Sequence, residues 1–163
     1  MMKSLMKTSV LSLAFCLSAA VFCSCDDGGS EAAAKKSCKE ICAEIVASDI
    51  AFPEMVEVNE DNFRLRYGLA EGDYAEYGVY WAGDGAMADE VCVIKTSGGD
   101  QLTKVKTAVE TRRDAQANLY QDYAPDQADR IRASSVTAKN NYVFWTVSDG
   151  NDTATAIFDK AFE

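Results

Sequence analysis

The sequence predicts an α+β domain of two layers, an antiparallel sheet of about four strands with helices packed on it. Three observations carry that prediction. Residues 74–82 and 89–96 are rich in β-branched and aromatic side chains and flank Gly83-Asp84-Gly85, so they form a hairpin. Residues 135–139 and 142–148 repeat the arrangement around Asn140-Asn141, a pair that tolerates the left-handed backbone of a tight turn. Between the hairpins the period becomes helical, with Leu102, Val105, Val109, Arg112, Gln116, Leu119, Tyr120 and Tyr123 on one face of about six turns. The order is one N-terminal helix followed by ββαββα.

Residues 1–24 read as a lipoprotein-type signal peptide. Lys3 and Lys7 precede an uncharged apolar run, residues 8–22, and the chain continues Phe22-Cys23-Ser24-Cys25. The run is shorter than the roughly 20 apolar residues of a membrane-spanning helix. Cys16 and Cys23 each follow a phenylalanine, whereas Cys25 follows Ser24, the small residue that the processing peptidase requires. Cys25 is therefore the predicted site of lipid attachment, by palmitate-type acyl chains, and the predicted location is the extracytoplasmic face of the cell membrane. Phe22 stands where leucine is usual in such a signal, and the alternative is an ordinary secreted chain cut near Ala20. Residues 25–35, with Asp26-Asp27-Gly28-Gly29-Ser30, read as a flexible tether, and residues 36–163 as a single domain.

Losing Lys3 and Lys7 with the leader leaves 14 of the 16 basic residues against 26 acidic ones, which takes the formal charge from −10 to −12. Nucleic acid and anionic lipid bind through clustered Lys and Arg, so neither is expected as a main partner. The expected partners are the membrane, through the lipid anchor, and an unidentified protein, peptide or glycan of the cell envelope.

Within the domain, residues 31–47 place Cys38, Ile41, Cys42, Ile45 and Val46 at helical spacing, and Phe52-Pro53 ends that helix. Met55-Val56-Glu57-Val58 is a short extended piece. Asn59 caps a helix over 60–67 that Gly68 stops. Ala124-Pro125 closes the long helix, and residues 126–133 form a short helical turn. Residues 142–147 are apolar on both faces, as befits a strand in the middle of a sheet with both sides at least partly covered. Asp149 caps the last helix, whose stripe is Ala154, Ile157, Phe158, Ala161 and Phe162.

Cys38 and Cys42 are four apart on one helix face, a poor disulfide geometry, and no histidine exists to complete a zinc set. Buried, reduced cysteines are the favoured reading; the alternative joins Cys92 to one of them.

The residues Met55-Val56-Glu57-Val58, Tyr67-Gly68, Ala88-Asp89-Glu90-Val91, Arg113-x-x-Gln116-x-x-x-Tyr120-x-x-Tyr123-Ala124-Pro125, Asn141-Tyr142-Val143 and Val147-Ser148-Asp149 carry a resemblance. Together they resemble the family of small bacterial lipoproteins known as domain of unknown function 4358, over roughly residues 39–162. The resemblance implies an exported, membrane-anchored single domain of anaerobic Gram-positive bacteria. It supplies no activity and no site residues.

With no histidine in the chain, Ser-His-Asp and Cys-His catalysis are ruled out. Asp149-x-Asn151-x-Thr153 begins like a calcium loop, but Ala154 replaces the glycine at its sixth place and Lys160 the acid at its twelfth. No cofactor and no metal site is predicted. Two features stand above background. Arg113, Gln116 and Tyr120, with Arg112, bring polar groups to the apolar stripe of the long helix. Arg113 either pairs structurally with Glu90 or Asp89 or lines a polar pocket between helix and sheet. The aromatic set Tyr77, Tyr80, Trp81, Tyr142, Phe144 and Trp145 is mostly core, and part of it could form a stacking face for sugars or a peptide. The expected function is a non-enzymatic interaction or accessory module of the envelope. The alternatives are a small-ligand-binding lipoprotein or a carboxylate-dependent hydrolase of envelope glycans or peptides, in which Asp84, Asp89 and Glu90 would act.

Overall fold

A computed structural model describes residues 33–163; the predicted signal peptide, Cys25 and the first part of the tether lie outside the described residues. The first helix, α1 (Cys38–Val46), begins at a capping box, in which Ser37 accepts from the Glu40 amide while the Glu40 carboxylate accepts from the Ser37 amide. Cys38, Ile41, Cys42 and Ile45 are all fully buried, as their spacing predicts. The helix stops well before Phe52-Pro53, because the Ser48 hydroxyl donates to the Ile45 carbonyl and closes the last turn. Helix α2 (Glu60–Tyr67) has the expected ends: Asn59 accepts from the Asn62 amide, and Gly68 adopts φ 66°.

The strands are β1 (Met55–Glu57), β2 (Tyr74–Ala82), β3 (Glu90–Thr96), β4 (Thr137–Lys139) and β5 (Tyr142–Val147). They form one antiparallel sheet in the order β1-β2-β3-β5-β4. The two predicted hairpins are β2–β3 and β4–β5, and Asn140 turns the second at φ 53°. The fifth strand is the short extended piece, which pairs Met55 with Ala82 and Glu57 with Tyr80.

Helices α3 (Gly99–Tyr120), α4 (Pro125–Ala133) and α5 (Asn151–Lys160) complete the chain. The α+β class holds, but two layers become three. Val79, Cys92, Ile94, Val143 and Trp145 pack under α2, α3 and α4, while Val91, Val93, Tyr142 and Phe144 pack under α1 and α5. The doubly apolar central strands are the physical reason, since a sheet covered on one side only would leave either Trp145 or Phe144 in water. Trp145 is fully buried and donates to the Ser134 hydroxyl at 2.8 Å. Gly78 lets α1 lie directly on β2: a Cβ there would fall 2.4 Å from the Cys38 carbonyl oxygen.

Cys38, Cys42 and Cys92 are free and buried, and the Cys42 thiol donates to the Gly78 carbonyl at 3.1 Å. Asp149 does not cap α5. Its carboxylate reaches Arg130 at 3.0 Å, and Asn151 Oδ1 instead accepts from Ser148, holding the chain as it turns into the helix. Among the described residues, no helix is long and apolar enough to cross a membrane.

Candidate functional site

Polar groups concentrate where β3 begins. Glu90 lies in register between Trp81 of β2 and Val147 of β5, which encloses its side chain completely, at 0% exposure. A buried carboxylate without partners would cost several kcal/mol. Here Arg112 of α3 donates to it at 2.8 Å, and the Tyr67 hydroxyl at the end of α2 donates at 2.6 Å. Burial opposes the charge on Arg112, but Glu90 beside it wins and holds that guanidinium above its ordinary value. Burial, reinforced by Cys92 and Glu90, pushes the Tyr67 hydroxyl well up, so Tyr67 is a donor to the carboxylate.

The preceding residue makes a second pair. Asp89, 2% exposed, accepts from both terminal nitrogens of Arg130 of α4, at 3.0 and 3.2 Å. Such a bidentate fork fixes geometry as well as charge, and the Asp89 carboxylate raises the Arg130 value. Gln127 ties the two elements further, accepting from Arg130 at 2.7 Å and from the Ala88 amide at 3.1 Å. The Tyr120 hydroxyl, at the end of α3, points at the loop between β2 and β3, where the Gly85 and Met87 carbonyls lie at 3.0 and 2.7 Å. Burial and the neighbouring Tyr123 push that hydroxyl up to about 12.

Beside these pairs lies a cavity of about 190 Å³. Trp81 and Ala82 at the end of β2 and Gly85 and Met87 of the loop form one wall. Gln116, Leu119 and Tyr120 of α3 form the other, and Arg66, Asp89, Arg112 and Tyr123 also line it. The Arg112 guanidinium stands 6.0 Å from the Trp81 ring centre, within cation–π range. Gln116 is only 7% exposed, yet its Oε1 has no hydrogen-bond partner, which costs roughly 1–3 kcal/mol. Five of the six arginines form ion pairs; Arg66, exposed at the cavity, makes no ion pair or hydrogen bond with any described residue.

Of the sequence candidates, Gln116 and Tyr120 line the cavity and Glu90 sits behind Arg112. Arg113 is displaced from its expected place: it pairs with neither Glu90 nor Asp89 but with the adjacent Asp114, at 2.8 Å. Adjacent residues on a helix point about 100° apart, and Val105 and Val109 put Arg112, not Arg113, on the inward face. Leu119 was also expected inside and is 62% exposed. The aromatic set forms no common face, because Tyr77, Trp81 and Trp145 lie on the α3 side of the sheet and Tyr80, Tyr142 and Phe144 on the α1 side. Asp84 sits on the exposed loop, accepting from the Ala86 amide. Sequence reasoning missed Arg66, Tyr67 and Arg130. For Tyr67 the signal was its place four residues after Phe63 on α2, the spacing of two inward positions.

No curated protein and no solved structure matches the chain. One family profile does, described as Domain of unknown function (DUF4358), over residues 48–148. That segment contains all five strands, α2, α3, α4 and every residue of the cavity, whereas α1 and α5 fall outside it. The match extends over more than half of the sequence, and the chain belongs to the DUF4358 family.

Proposed function

We propose that this protein is a non-enzymatic binding module, anchored through a lipid on Cys25 to the extracytoplasmic face of a membrane, and that its cavity beside α3 receives an envelope component. The carrying observation is the state of the carboxylates. Acid–base hydrolysis of a glycan needs two carboxyl groups facing each other across open space, about 5–10 Å apart. Asp89 and Glu90 are instead each closed in an arginine pair, and Asp84 is on an exposed loop. What the cavity does offer is binding chemistry: an unpaired guanidinium, an unsatisfied carboxamide and an aromatic wall.

The anchor rests on the apolar leader and on Ser24 before Cys25. Cys25→Ala is expected to move the protein from the membrane fraction to the soluble fraction and to abolish fatty-acid labelling. Continued labelling of that variant would refute the assignment. For the non-enzymatic half, the measurement is turnover of envelope glycans and peptides by the purified chain. Hydrolysis that disappears in a folded Glu90→Gln or Asp89→Asn variant would overturn it.

A further inference from the structure

Resting on the reading of this chain as a binding module, we propose that the cavity holds a single carboxylate-bearing residue, with its carboxylate on Arg66, its amide N–H on Gln116 and an apolar side chain against Trp81 and Leu119. Three independent observations converge on that chemistry. Gln116 is more than nine-tenths buried and lines the cavity, and its Oε1 lacks a donor. The last torsion of a glutamine is soft, so a ligand N–H can draw the carboxamide toward itself. Arg66, on the exposed side of α2, stands at the same cavity with no acid paired to it.

The third observation is the wall. Leu119 and Tyr123 are large apolar groups left 62% and 57% exposed, and with Trp81 they make a surface that an apolar side chain would cover. Size and charge narrow the choice further. The volume, about 190 Å³, is below the roughly 300–1,000 Å³ of a site for a drug-sized molecule, so it suits one residue and not an oligosaccharide. Asp89 lines the cavity and the whole chain carries −10, so a dianionic phosphate would meet more repulsion than a singly charged carboxylate matched to one guanidinium. An N-acylated amino acid and the C-terminal residue of a peptide share this chemistry.

Fluorescence can test the proposal, because the chain has two tryptophans and Trp145 is sealed in the core, leaving Trp81 to report on the cavity. The full-length chain would be titrated with N-acetyl-L-leucine, its amide, the tripeptide Ala-Ala-Leu and N-acetylglucosamine. The acid is expected to saturate the signal and to bind roughly tenfold or more tightly than the amide, the effect of one charge-assisted hydrogen bond. Arg66→Gln should remove that difference. Gln116→Leu should weaken acid and amide alike and raise the melting temperature, since it removes the unpaired oxygen. Tighter binding of the tripeptide than of the acid would assign the site to peptide ends, and the reverse to free acyl amino acids. Equal binding of acid and amide, preference for N-acetylglucosamine, or no saturable change with any probe would overturn the proposal. None of these results bears on membrane fractionation or turnover, so the anchored, non-enzymatic reading stands or falls separately.

Discussion

The face of the sheet under α1 and α5 and the face under α2, α3 and α4 share the strands β2, β3 and β5, yet they are finished differently. Under α1 and α5 the contacts are thiols, aliphatic groups and rings, with Phe144 stacked on Phe158 at 4.6 Å, and the buried Thr146 hydroxyl beside Val91 makes no hydrogen bond. The opposite face is as apolar around Val79, Val143 and Trp145, and then, at the start of β3, turns to two arginine–carboxylate pairs and an unpaired carboxamide. Enclosed charge is weak evidence for stability, because replacing such pairs with apolar groups is often neutral or favourable. A fold that tolerates two of them at one end of one face has given up local consistency there, which natural proteins do chiefly at functional sites. The family match contains this face and its helices and neither helix of the other.

Trp145→Ala, in the apolar part of the α3 face, should cost on the order of 3–5 kcal/mol in denaturant melts, enough to unfold a marginal domain. An unchanged midpoint would show that this core contributes nothing. Arg112→Met should cost about 3 kcal/mol by leaving Glu90 with Tyr67 alone, and Arg112→Met with Glu90→Leu should recover most of the loss. Strictly additive losses would break the idea that the two act as a pair.

Alkaline pH should load both faces together. Burial raises Cys38, on the α1 face, from its ordinary 9.0 to about 12, and raises Tyr67, on the α3 face, well above its ordinary 10.0. Each is neutral when protonated and titrates later in the folded chain than in the unfolded one. Their contribution is therefore intact below about pH 9 and declines as pH rises toward 12, by up to about 1.4 kcal/mol per pH unit for each group. Urea midpoints at pH 7, 9 and 10.5 measure the slope, and Cys38→Ala should make it shallower; a slope unaltered by that change would contradict the assignment. The smallest effect belongs to Arg113→Met, within about 0.5 kcal/mol of the parent, since the pair with Asp114 is partly exposed. A loss of several kcal/mol would mean that Arg113 reaches the buried acids after all.

The central strands were legible because burial on both faces leaves a continuous apolar run, and residues 142–147 carry one; that run already demanded a helix layer on each side. The edge strand β1 was harder to read, since three residues are too few to display alternation. At the site, Gln116 and Tyr120 followed from helical spacing, and the same spacing continued on from Val109 identifies Arg112. Arg113 stands beside the same stripe, four residues after Val109, and only the inward run Val105, Val109, Arg112 separates the two arginines. Arg130 gave no local signal, because its partners Asp89 and Asp149 come from distant parts of the chain. Arg66 is recognisable only by the absence of an acid beside it, which is a property of the fold.

The contact between Tyr120 and the β2–β3 loop bears on how this family can diversify. Tyr120 meets the carbonyl oxygens of Gly85 and Met87, and Tyr123 reaches the same Gly85 carbonyl at 3.4 Å. Carbonyls are common to all residues, so the clasp reads the backbone and ignores the side chains it carries. One wall of the cavity can thus carry a different side chain at position 87 or its neighbours while the loop keeps its path.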